Sequence, residues 1–98
     1  MELIRSGDVL LEKVGKIKIK MKTAKDVVLA EGEVTGHRHV LLGQTLVGQY
    51  GNERYVQLEN EAELVHEEHD TVIVPKGTYK VRLQREVNLA DEVRQVLD

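Results

Sequence analysis

Residues 16–22 read Lys-Ile-Lys-Ile-Lys-Met-Lys, a strict alternation of charge and hydrocarbon. A two-residue period sorts side chains onto two faces only when the backbone is extended, so this stretch is expected to be a half-buried strand with a solvated lysine face. The same period recurs along most of the chain, punctuated by glycine. Strands are expected over residues 8–14, 16–22, 27–33, 38–42, 45–50, 54–59, 71–74 and 78–87. Gly15 turns the first of these back onto the lysine strand as a hairpin, and Gly43 separates the fourth from the fifth. Gly51-Asn52 forms one turn, and Pro75-Lys76-Gly77 forms another in which proline fixes φ and glycine admits a positive one. After Val87 the period changes. Asn88 can cap a helix, Asp91 and Glu92 fall in its first turn, and Leu89, Val93, Val96 and Leu97 recur at helical spacing. The expected fold is all-β, a small antiparallel β-barrel or sandwich, with one short C-terminal α-helix and a single domain spanning residues 1–98.

Its core must be aliphatic, because the chain has no Phe or Trp and only Tyr50, Tyr55 and Tyr79 as aromatics. The absence of cysteine excludes disulfide staples and thiolate chemistry and fits a reducing compartment. No basic-then-apolar leader opens the sequence, and no apolar run reaches the roughly 18 residues of a bilayer span. A soluble, cytoplasmic protein is the expectation, with no membrane partner. Charge is distributed unevenly: residues 13–25 hold six lysines and no acid, whereas residues 59–70 hold six acids and no lysine. A net charge of −3 and the scarcity of stacking aromatics argue against a nucleic-acid partner. The lysines read first as a solvated strand face that discourages edge-to-edge aggregation. The asymmetry also fits complementary surfaces in a homo-oligomer.

All four histidines fall in two pairs, His37-Arg38-His39 and His66-Glu67-Glu68-His69. On an extended backbone His37 and His39 project to one face, a bidentate grip for a metal ion. His66 and His69, three residues apart, would diverge on a straight strand and converge only in a turn, loop or bulge. Four imidazoles would close a tetrahedral zinc site, whereas three and a water would leave a catalytic position open. Glu67 and Glu68 could orient an imidazole or act as base on a metal-bound water, and Glu33 is a further candidate for either role.

A second anomaly sits in the strand over residues 78–87. Arg85 falls in phase with Tyr79, Val81, Leu83 and Val87, and an inward guanidinium needs an anionic partner unless it snorkels to water. Glu33 and the acids around His66 are candidates for that pairing. Arg85→Ala is therefore expected to cost more stability than Arg82→Ala.

The motifs Gly7-Asp8-Val9-Leu10-Leu11, Leu29-Ala30-Glu31-Gly32-Glu33-Val34-Thr35-Gly36-His37-Arg38-His39, and Leu64-Val65-His66-Glu67-Glu68-His69 lead on through Pro75, Gly77, Tyr79 and Val81 to Gln84-Arg85-Glu86. Together they resemble an uncharacterised family of small bacterial, archaeal and phage proteins, over nearly the whole chain. That resemblance implies that the motifs belong together and supplies no reaction. A looser analogy is to the cupins, barrels that present metal ligands as HxH on a strand. Here Gly43 and Gln44 stand where cupins place a glutamate, and Thr78, Tyr79 and Lys80 stand where they place a further histidine.

The leading functional expectation is a divalent-metal-binding protein, zinc first, with His37, His39, His66 and His69 as ligands. A metal-dependent hydrolase acting on a small ligand is its sharper form, with Glu33, Glu67, Glu68 and Arg85 as catalytic candidates. The alternatives are metal-free binding of a phosphate-containing anion by the histidines, Arg85 and the lysines, and an interaction module without catalysis.

Overall fold

In the computed structural model the described residues are 3–32 and 36–83; the expected helix past Val87, Glu33 and Arg85 lie outside them. Eight strands are found among the described residues: β1 (Leu3–Ser6), β2 (Val9–Val14), β3 (Met21–Glu31), β4 (Arg38–Tyr50), β5 (Glu53–Leu58), β6 (Ala62–Val65), β7 (Val72–Val74) and β8 (Gly77–Leu83). Every pairing is antiparallel. The order β1-β2-β8-β5-β4-β6-β7, with β3 on β4, curls into a nearly closed barrel. No helix among the described residues is long and apolar enough to cross a membrane.

The lysine segment departs from its expected place. Residues 15–20 lie outside any strand, and only Met21 and Lys22 join β3, which pairs with β4 rather than β2. The reason is that both edges of β2 are taken, one by β1 and the other by β8, so no hairpin partner can add across Gly15. The segment instead crosses close over Gly48, where a Cβ would lie 2.8 Å from the Lys20 carbonyl oxygen. Two expected strands, 38–42 and 45–50, are one. β4 runs through Gly43, whose φ of 90° bends it, and the Gly43 N–H donates to Asp26 Oδ1 at 2.8 Å across a register shift in β3. That bend lets one edge of β4 serve two neighbours, β6 near its start and β5 near its end, while β3 lines the other edge.

Among the described residues the buried hydrophobic core is aliphatic apart from Tyr79. Val9, Leu11, Leu41, Val56, Leu64 and Val74 are fully buried, and the buried Tyr79 hydroxyl donates to the Pro75 carbonyl at 2.7 Å. In β5 the alternation that buries Val56 and Leu58 also turns Arg54 inward. Its guanidinium donates to the carbonyls of Val28 at 2.8 Å and Leu29 at 3.3 Å, where a shift between Val28 and Ala30 interrupts the β3–β4 ladder. Arg54 thus supplies donors to carbonyls beside the irregular part of the ladder. Chemical denaturation should show Arg54→Met losing about 1.5 kcal/mol, the scale of hydrogen bonds from a charged donor. Arg82→Met should lose less than about 1 kcal/mol, because Arg82 is exposed and its ion pair with Glu12, at 3.2 Å, is a surface one. Equal losses for the two variants would remove the structural role given to Arg54.

Candidate metal centre

The register of β4 and β6 builds the site. Leu41 pairs with Leu64 and Val40 with Val65, so the next step of the antiparallel ladder sets His39 opposite His66, with ring centroids 4.2 Å apart. A bend over residues 67–69 then returns the chain, the turn that an i, i+3 pair requires in order to converge. It brings the His69 ring to 4.4 Å from His66 and 5.7 Å from His39. His37, just ahead of β4, lies edge-on to His66 at 5.6 Å. Residues 29 positions apart in sequence therefore share one cluster, close to both outer strands of the sheet, β1 and β7.

His39 is the buried member, 6% exposed and facing the same side as Leu41. Its Nε2 is one of two buried side-chain polar atoms among the described residues that lack a hydrogen-bond partner; the other is Ser6 Oγ. The His39 ring bonds to the Ser6 backbone, and because Nε2 is unpartnered that bond falls to Nδ1. An imidazole whose Nδ1 proton is fixed on a carbonyl presents Nε2 as a bare lone pair, the arrangement a metal ligand needs. Burial lowers the His39 pKa below the ordinary histidine value, assisted by His66 and His69 and opposed by Asp8 and the Ser6 bond. His39 is accordingly neutral near pH 7. As pH falls below the ordinary value the unfolded chain takes up a proton that folded His39 resists, so stability falls with it.

The β1–β2 turn forms a wall of this site. Gly7, at φ 55°, sits so close that a Cβ there would lie 2.7 Å from His69 Nε2 and 3.1 Å from His39 Nε2. On the outer side, the Glu68 N–H donates to His66 Nδ1 at 3.0 Å, and Glu68 Oε1 lies 3.1 Å from His37 Nδ1. Glu67 Oε2 accepts the Arg38 N–H at 3.0 Å. Hydrogen bonds from its own backbone and from that of Arg38 hold the Glu67 carboxyl below the usual carboxylate range.

Two overlapping sets result. One ligand atom from each of His39, His66 and His69 lies within 4.8 Å of the others, and the same holds for His37, His66 and Glu67. A cluster of this composition could hold a metal ion, given modest rotations of the rings to the roughly 2.0–2.1 Å of a zinc–nitrogen bond. Of the candidates read from sequence, the four histidines, Glu67 and Glu68 come together; Glu33 and Arg85 lie outside the described residues. Gly7 and Ser6 were not anticipated. The signal for Gly7 was its place in a Ser-Gly-Asp turn beside the Gly7-Asp8-Val9-Leu10-Leu11 motif, but nothing local says what a turn will face.

Comparison with the curated proteins and with the solved structures returns no match. The sequence does match a family model over residues 5–84, a span that contains the Gly7 turn, both histidine pairs and all of β2 to β8. The chain belongs to the family described as Domain of unknown function (DUF8820).

Proposed function

We propose that this protein binds a divalent metal ion, zinc first, through His39, His66 and His69, with Gly7 leaving room for the ion. The observation that carries the reading is the buried, unpartnered Nε2 of His39 aimed into a group of imidazoles. A buried lone pair without a donor costs on the order of 1–3 kcal/mol, and a coordinated cation removes that cost. Nitrogen ligands suit zinc, copper, nickel or cobalt better than magnesium or calcium.

Three imidazoles also define the sharper form of the proposal. Three protein ligands leave a position for water, the coordination of hydrolytic rather than closed structural zinc sites. Glu67, kept ionised beside His37 and His66, is the carboxylate best placed to take a proton from such a water. The metal-free anion reading fits less well, because His39 is neutral and Glu67, Glu68 and Asp70 stand exposed around the cluster. Titrating metal-stripped protein with zinc, cobalt and nickel, beside a His37→Ala/His39→Ala variant, tests the proposal. Binding is expected in the parent, lost in the variant, and weakened in the parent by acid because imidazole must be neutral to coordinate. Equal, weak binding by both proteins would put the anion reading ahead.

A further inference from the structure

We propose a second divalent-cation position at the outer side of the cluster, formed by His37, Glu67 and His66, so that His66 bridges two ions. It rests on the reading that the inner set of His39, His66 and His69 binds a metal.

The argument starts from His66, which belongs to both sets. An imidazole has two nitrogens directed away from each other, so a ring shared by two ion positions serves both only by giving one nitrogen to each. In the ion-free protein Nδ1 accepts the Glu68 N–H at 3.0 Å, which leaves the ring proton on Nε2. Bridging takes both lone pairs. The ring proton leaves to solvent, His66 becomes an imidazolate, and the Glu68 N–H gives up its acceptor. The outer set brings its own charge: Glu67 is ionised, and Glu68 Oε1 lies 3.1 Å from His37 Nδ1. These carboxylates offset the repulsion between two dications, which a purely imidazole site would not.

Zinc titrated into the metal-stripped full chain is expected to bind in two steps, the second at least about tenfold weaker because it displaces a hydrogen bond and adds a like charge. A His37→Ala/Glu67→Gln variant should keep the first step within about threefold and lose the second, since neither residue belongs to the inner set. Copper(II) filling both positions of the parent should give a magnetically coupled electron paramagnetic resonance signal. One equivalent in the parent, two in the variant, or two uncoupled copper ions would each overturn the bridge while leaving the inner site standing. No binding by either protein overturns both proposals.

Discussion

Zinc is expected to raise the melting temperature of the metal-stripped protein by roughly 15 °C or more, and His69→Ala should lose most of that gain. The expectation follows from where the cluster lies. His39 belongs to β4, His66 and His69 flank the bend between β6 and β7, and Gly7 turns β1 into β2, so an ion there fastens the β6–β7 bend to the paired ends of β4 and β6, against a β1–β2 turn that is not hydrogen-bonded to those strands as a ladder. The unfolded chain cannot assemble the set. Binding to the folded state alone stabilises by about 4 kcal/mol at a thousandfold excess over Kd. For a chain of this size each kcal/mol moves the midpoint by roughly 4–8 °C. His69 is the variant of choice because it is exposed, and its removal should change the apoprotein by less than about 0.5 kcal/mol. His39→Ala confuses the comparison, since it also empties a buried position. Differential scanning fluorimetry with and without zinc reads the result. An unmoved midpoint, or equal shifts in parent and variant, would mean that the ion is not held by these imidazoles in the fold.

Much of this arrangement was legible in the sequence because its signals are local. Alternation located β2, β5, β7 and β8 to within a few residues, and the Gly51-Asn52 and Pro75-Lys76-Gly77 turns fall where the strands end. The HxH spacing gave the face of His39. The i, i+3 spacing of His66 and His69 gave the need for a bend, and that bend is present. Convergence of the two pairs was not local. It depends on Val40 and Leu41 pairing with Val65 and Leu64, a register that no short window specifies, within a strand, β6, whose four residues carry too little alternation to be noticed. The lysine segment shows the opposite failure. Its pattern is the cleanest in the chain, yet residues 15–20 are unpaired because β2 has no edge to offer. Alternation reports that a segment tolerates extension, while pairing is decided by which edges the rest of the fold leaves open. Arg54 was missed for a related reason: its phase with Val56 and Leu58 was readable, but the interrupted β3 ladder that receives it was not.

Gly7→Ala should abolish the zinc response, whereas Gly51→Ala, which carries the same backbone cost, should keep it. Both glycines have positive φ, 55° at Gly7 and 61° at Gly51, so alanine at either is expected to cost about 1–2 kcal/mol in left-handed strain. Their surroundings differ. A Cβ at Gly51 meets nothing within 4 Å, while one at Gly7 would come within 2.7 Å of His69 Nε2, 2.9 Å of His69 Cδ2 and 3.1 Å of His39 Nε2. Contacts that close cannot stand, and what yields is either the His69 ring or the turn itself, since His39 is held by its buried position and its bond to the Ser6 backbone. In either case a methyl group occupies space beside the two nitrogens that the ion needs. Zinc affinity should fall by more than about a hundredfold, the upper end of what disturbing the surroundings of metal ligands costs. The pair separates strain from site: matched apoprotein melting temperatures with a zinc response only in Gly51→Ala would place the ion against the β1–β2 turn. Equal zinc shifts in the two variants would show that Gly7 serves the turn alone, and the ion would have to sit on the outer side of the cluster with His37 and Glu67.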